Sequence, residues 1–231
     1  MKTNKMLAAI VCTALTVPGF AQNKIDDRIG TCAEVLQQFI NKPDAIPAAL
    51  LNRARCVLVF PSVKKVGVGI GVTYGRGVLS CRTGVGYDGP WSAPAMYKLD
   101  VGSIGAQLGT TSVDYVLLVQ TKLGAEKVLS GKMKMGADAS AVAGPTGAKA
   151  VSTSDPNIDI LTYSRAKGGL FAGASLGGAS MDTDDDANKT AYGKDVTATQ
   201  IARDGAHVTV SPAGKRFDEI LTKESPHHTM Q

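Results

Sequence analysis

The sequence predicts an α+β fold: an antiparallel β-barrel-like core with helices packed on its outside. Three observations carry this. First, GVGIGVTYGRG from Gly67 to Gly77 sets glycine at 67, 69, 71, 75 and 77, all on one parity. In a strand this leaves one face nearly bare, with Val68, Ile70, Val72 and Tyr74 on the other. Each such glycine costs roughly 0.5–1 kcal/mol in chain entropy, so a row of them answers a geometric need, either a tight bend or the close approach of another backbone. Second, short apolar runs such as Cys56–Phe60 and Asp114–Gln120 read as buried strands. Third, helical spacing is confined to the two ends of the chain and one short stretch between strands, which points to a curled sheet decorated by helices.

Along the chain, Ile25, Ile29, Cys32, Leu36, Phe39 and Ile40 recur at helical spacing, and a second helix is predicted from Pro47 to Ala54. A strand from Cys56 is ended by Pro61, and the basic turn around Lys64 and Lys65 leads into the glycine strand. SAPAMYKL, the glycine-spaced Gly102–Gly109 and DYVLLVQ continue the run, followed by a short helix at Ala125–Leu129. Lys132–Val142 alternates polar and apolar residues and is predicted as one half-exposed strand. Ile158–Arg165 and Leu170–Met181 have strand character, after the loop Gly144–Ser154. Thr197 with Gln200 forms a capping box, and Ser211 before Pro212 is an N-cap with proline at the first helical position.

The first residues follow the grammar of a secretory leader: Lys2 and Lys5, an apolar stretch from Met6 to Val17, then Pro18, Gly19 and Ala21. Cleavage is expected after Ala21, giving an exported, periplasmic or secreted protein. The apolar stretch is well short of the roughly 20 residues a spanning helix needs. Residues 22–231 are expected to form a single domain, with N-terminal helices over 24–54, a β core over 56–181 and C-terminal helices over 190–222. Loss of the leader lowers the formal net charge from +5 to +3, far from the character of a nucleic-acid binder. Of the remaining cysteines, Cys56 begins one strand and Cys81 ends its expected antiparallel neighbour, so these two are expected to form a disulfide. Cys32 is expected to be a buried thiol.

Several motifs lack the context their chemistry requires. GASLG at Gly173–Gly177 matches a nucleophile elbow around Ser175, but strand and polar loop follow it where a helix is needed. GVGYDG runs into Pro90 and Trp91 and not into the helix a dinucleotide site requires. Asp182, Asp184, Asp186 and Asn188 alternate like the start of a calcium loop, but Ala187 and Gly193 replace its obligatory glycine and glutamate. A solvated acidic loop is the expected reading. Histidines and cysteines show no zinc spacing, and nothing calls for a cofactor. Trp91 is expected in core or turn packing, with an interfacial anchor as the alternative. What remains is a set of cations on strands and turns: Lys64, Lys65, Arg76, Arg82, Lys132, Lys134, Lys149, Arg165 and Lys167. Several have apolar neighbours, a composition suited to a membrane interface.

FPSVKKVGVGIGVTYGRGVLSCR, GPWSAPAMYKL, KMKMGADASAVAGPTG and YSRAKGGLFAGASLGG resemble the SYLF family, also called the Ysc84 actin-binding domain family, from about Ala33 to Leu221. One departure is an extra glycine at 168 or 169, between Arg165 and Leu170. The resemblance implies a β-barrel core with outer helices, no enzymatic activity, and binding of phosphoinositides or other anionic lipids through the cations above. Some eukaryotic members bind actin; for an exported bacterial member, actin is not an expected partner, and neither is nucleic acid. The expected function is therefore non-enzymatic binding of anionic phospholipid head groups at a membrane surface. The alternative is a cell-envelope scaffold that binds another protein.

Overall fold

A computed structural model describes residues 19–41, 46–66, 72–101, 112–144, 157–166, 176, 178–193 and 195–226. Helices α1 (Gly19–Ile40) and α2 (Ala48–Arg53) precede strands β1 (Cys56–Val66), β2 (Val72–Cys81), β3 (Ala95–Asp100) and β4 (Val113–Val119). Helix α3 (Lys122–Leu129) leads to β5 (Lys132–Lys134), β6 (Ala141–Ala143), β7 (Ile160–Ala166) and β8 (Ser180–Thr183). Helices α4 (Asp185–Tyr192), α5 (Ala198–Ala202) and α6 (Pro212–Glu224) follow.

The strands form one sheet in the order β5-β8-β3-β2-β1-β4-β7-β6. Laid flat, eight strands would hold β5 and β6 about 34 Å apart. Only residues 135–140 join these two edges, and the chain from Lys134 to Ala141 reaches at most about 25 Å. The sheet must therefore curl, and it forms a half-barrel. Within that connector a bridge between Met135 and Ala139 folds the chain into a tight turn.

Period-two alternation divides the buried residues into two clusters. Inside the curl lie Leu58, Phe60, Leu79, Tyr97, Leu99, Tyr115, Leu117, Met133 and Met181, covered by Val128 and Leu129 of α3 and Ile201 of α5. On the outside, Val57, Val59, Val78, Met96, Val116 and Leu118 lie under α1, which brings Ile29, Cys32, Leu36 and Phe39, and under Phe217 and Leu221 of α6. β4, buried along its whole length, is the central strand the sequence predicts. The predicted caps are present: Thr197 and Gln200 form the reciprocal box, and Ser211 accepts from Gly214 N with Pro212 beginning α6. Cys56 and Cys81 are register partners and form the expected disulfide, and Cys32 is a buried thiol whose pKa burial pushes up.

The structure departs from the sequence reading in five places. β1 is not ended by Pro61 but runs on to Val66, so Lys64 and Lys65 lie in a strand and not in a basic turn. β6 pairs with β7 in parallel, so the sheet is mixed. Lys132–Val142 is two short edge strands, because Gly136 takes a φ of 83° and turns the chain after Met135. Asp182–Asn188 is neither a calcium loop nor a solvated one: it is the end of β8 and the start of α4. Asp184 there is committed to Arg28 and Lys98, and among the described residues no group of three acid, cysteine or histidine side chains converges on a metal position. Finally, α1 begins at Gly19, so the expected cleavage point falls in its first turn, while the described buried residues of α1 start at Ile25. The segments 67–71, 102–111 and 167–175, with Ser175, lie outside the described residues.

Candidate functional site

Along β1, Val57 and Val59 face outward and Leu58 and Phe60 inward; a register shift between Val59 and Lys64 then reverses the parity, so Val63 turns in and Lys64 turns out. This is the effect of a β-bulge. It is taken up at Ser62, whose φ is 50° and whose N–H donates to Asp114 Oδ1 at 2.7 Å. Glycine makes the bend possible. A Cβ at Gly77 would lie 2.0 Å from the Val59 carbonyl oxygen, and one at Gly75 would lie 2.6 Å from Val63. The predicted close approach of another backbone is therefore real at Gly77, while at Gly75 the missing side chain makes room for the Val63 side chain.

Beyond the bulge, the register assembles an outward face that no residue of the outer apolar cluster covers. One row across the sheet pairs Arg76 with Lys98, Lys98 with Asp182, and Asp182 with Lys132. The next pairs Lys64 with Tyr74, Tyr74 with Asp100, Asp100 with Ser180, and Ser180 with Lys134. Five cations and two acids thus share a strip about 19 Å wide, the span of five adjacent strands. Lys64, Arg76, Lys132 and Lys134 are exposed. Arg76 is held by the Tyr74 hydroxyl, which raises its pKa further, and its guanidinium lies 5.7 Å from the Tyr74 ring centre.

Beneath the strip, buried Asp184 takes Arg28 Nη1 at 3.0 Å and Lys98 Nζ at 3.1 Å. Burial alone would raise its carboxyl pKa; the hydrogen bonds from Lys98 and Arg28 and their charges outweigh that and hold it below the ordinary range. Lys98 was not among the sequence candidates. Its signal was there in β3, where it alternates with Tyr97 and Leu99, but its acidic partner lies 86 positions further along the chain.

The structure brings together Lys64, Arg76, Lys132 and Lys134 of the predicted cations. Lys65 follows in β1, with its side chain outside the described set, and Lys149 and Lys167 lie outside the described residues. Two candidates are corrected. Arg82 is 1% exposed: its Nη2 donates to the Ser225 carbonyl and hydroxyl oxygens, each at 2.8 Å, and its guanidinium stacks 4.4 Å from the Trp91 ring. It caps the carbonyl end of α6 in the interior, where burial lowers its pKa. Arg165 is 6% exposed, stacked 5.1 Å from the Phe39 ring and bonded to Gln38 of α1. Trp91 is interior too, its Nε1 donating to Ser225 O at 3.0 Å. No described helix is long and apolar enough to cross a membrane.

A family model described as "Las17-binding protein actin regulator", Ysc84, matches residues 100–224, more than half of the chain, with strands β4 to β8 and helices α3 to α6 inside the match. The chain belongs to the Ysc84 (SYLF) family. Relatives of this Ysc84 domain include an SH3 domain-containing protein of Schizosaccharomyces pombe, 31% identical over 170 residues, covering 71% of this chain and 38% of that protein. Protein YSC84 of Saccharomyces cerevisiae is 29% identical over 212 residues, with 85% of this chain and 43% of that protein covered. LAS seventeen-binding protein 3 of Saccharomyces cerevisiae is 30% identical over 182 residues, 73% of this chain and 38% of that protein. The chain spans less than half the length of these relatives. The family is one of binding proteins and regulators. Its description overturns the expectation that actin-pathway partners are excluded. That expectation came from a compartment read off residues 1–21 and had no basis in the surface of the domain.

Proposed function

We propose that this Ysc84 domain is a non-enzymatic module that binds anionic phospholipid head groups, phosphoinositide-like in charge, through the strip of Lys64, Arg76, Lys98, Lys132 and Lys134. The observation that carries the proposal is the register, which sets cations from β1, β2, β3 and β5 on one outward face. At about 1 kcal/mol per cation near an anionic surface, and with Asp100 and Asp182 interspersed, binding is weak and salt-sensitive. Vesicle flotation tests it: the protein floats with vesicles containing phosphatidylserine at low salt and is released at high salt. Equal partition into purely zwitterionic vesicles overturns it.

A second reading, a protein-binding scaffold, is favoured by the names of the relatives and of the family, which point to a Las17-binding, actin-regulating role for those proteins. Crosslinking in intact cells that recovers one dominant protein on Lys132 or Lys134, with no flotation, selects it. Export fits the leader grammar of residues 1–21, and cleavage after Ala21 would spare Ile25 and every later buried contact of α1. Purified protein whose sequence begins at Gln22 supports export; an intact Met1 on protein recovered from the envelope overturns it.

A further inference from the structure

The cationic strip is not uniform along its length. Tyr74 and Arg76 lie two residues apart on one face of β2, and Arg76 Nε donates to the Tyr74 hydroxyl while the guanidinium rests 5.7 Å from the ring centre. Only the Nε–H is used in this way; neither Nη atom meets a partner among the described residues. The side chain is therefore held by one corner with its Nη edge free. The register sets two more cations beside it. Lys98 is the partner of Arg76 across β2 and β3, and its ammonium is itself tied 3.1 Å from Asp184. Lys64, exposed and without an ion pair among the described residues, is the partner of Tyr74 across β1 and β2 and so lies on the diagonal from Arg76. Long side chains reach one another across both direct and diagonal pairs. At the far end of the strip Lys132 and Lys134 are exposed, and no hydrogen bond or ring contact fixes either side chain among the described residues.

We propose that Tyr74 is a positioning residue: by holding Arg76 it makes the β1–β3 end of the strip a site for a phosphate monoester head group, while Lys132 and Lys134 supply attraction without selectivity. The inference rests on the lipid reading and names the head-group class the strip prefers. The free Nη edge is a fork that matches two oxygens of one phosphate. A monoester carries three terminal oxygens and a charge of about −1.5 to −2 at neutral pH, so it can take the fork with two oxygens and a flanking ammonium, from Lys64 or Lys98, with the third. A diester carries one charge and two terminal oxygens, and leaves the flanking ammonium unanswered. Because Tyr74 orders Arg76 before any ligand arrives, that ordering is not charged against binding.

The probes are two sets of phosphatidylcholine vesicles, one containing phosphatidic acid, a monoester, and one containing phosphatidylglycerol, a diester, at contents that give equal surface potential. The unmodified protein is expected to partition about tenfold more strongly onto phosphatidic acid. Tyr74→Phe keeps the ring and removes the hydroxyl; it is expected to lower partition onto phosphatidic acid about fivefold and onto phosphatidylglycerol by less than about twofold. Arg76→Lys keeps the charge and loses the fork, and is expected to bring the two vesicles within about twofold of each other. Lys132→Gln with Lys134→Gln lowers both partitions by the same factor and leaves their ratio unchanged. Glycerol 3-phosphate at about 1 mM is expected to leave partition onto phosphatidic acid unchanged, since a lone soluble monoester lacks the attraction of the rest of the strip. Displacement at that concentration makes the ligand a soluble monoester and overturns the lipid source. No flotation with either vesicle overturns the lipid reading and this inference together. Flotation with equal partition onto both vesicles overturns this inference alone, as does a Tyr74→Phe protein whose two partitions fall by the same factor. If a variant fails to fold, the ratio between the two vesicles in the unmodified protein decides.

Discussion

The outer face of this sheet has two halves built from the same strands with the same alternation and opposite destinies. Below the bulge its outward residues are Val57, Val59, Val78 and Met96, and α1 and α6 cover them. Above it they are Lys64, Tyr74, Arg76, Lys98 and Asp100, and the outer apolar cluster stops short of them. Backbone geometry does not distinguish the halves; the side chain at each outward position decides whether burying it against a helix is favourable. Valine gains roughly 1.5–3 kcal/mol on burial, whereas a lysine ammonium would lose its hydration. Where one half ends and the other begins is fixed by the bulge, since without the parity change at Ser62 the residue turned outward would be Val63 and Lys64 would point into the core.

Disturbing the bulge therefore has the largest expected effect. Gly77→Ala drives a Cβ against the Val59 carbonyl, which cannot swing aside as a side chain can. A loss of about 4 kcal/mol is expected, read as a lower denaturation midpoint in urea. Next is the disulfide that fixes the β1–β2 register at the covered end. Replacing Cys56 and Cys81 by serine releases a loop with a sequence separation of 25. The chain-entropy model puts the cost at about 3.5 kcal/mol, and reductant should lower the thermal midpoint of the unmodified protein and leave that of the variant unmoved.

The covered half was the more readable from sequence, because its signals are local. Alternating valines, the β4 run, the capping box at Thr197 and the cysteines at matching strand ends each act over a few residues or one hairpin. The parallel β6 was not readable, since three residues of Ala-Val-Ala fit either direction and the pairing is set by how far the curl brings the edges together. The cationic half was half-readable. Alternation put Lys132 and Lys134 on the exposed side of their strand, where they lie, but Arg82 and Arg165 satisfy the same local pattern and are buried. What claims them, Ser225 with Trp91 in one case and Phe39 with Gln38 in the other, lies outside their own strands. Asp184 looked like part of an acidic loop for the same reason: its partners Arg28 and Lys98 come from α1 and β3.

Asp184 joins the two halves, drawing α1 of the covered side against Lys98 of the open one. Asp184→Asn is expected to cost about 2 kcal/mol at neutral pH, less than for a fully sealed pair because Lys98 is partly exposed and regains water. The sign with pH follows from the lowered folded-state pKa. Its contribution is fully present above the unfolded carboxyl value of about 3.9 and is lost as pH falls through the folded value. Denaturation midpoints of the variant and the unmodified protein should therefore differ at pH 7 and converge as the solution is acidified below pH 4. A gap that widens on acidification would mean that Asp184 is not the ionised partner of Arg28 and Lys98.

The smallest effect on stability is expected where the effect on binding is greatest. Lys132 and Lys134 sit on the exposed side of β5, and among the described residues neither ammonium forms an ion pair, not even Lys132 with its register partner Asp182, so charge substitutions there should move stability by less than about 0.5 kcal/mol. Each cation contributes about 1 kcal/mol to attraction toward an anionic bilayer, so Lys132→Gln with Lys134→Gln should weaken partition onto phosphatidylserine vesicles about 30-fold at low salt. Reversal of both to glutamate should abolish flotation. The matched control is Lys122→Gln with Lys127→Gln on α3, which removes the same charge from a helix outside the strip and should leave partition within about threefold. Equal losses from both pairs would mean that net charge, and not the register-built face, draws the domain to lipid. A loss confined to β5 ties the attraction to the half of the sheet that the helices leave uncovered.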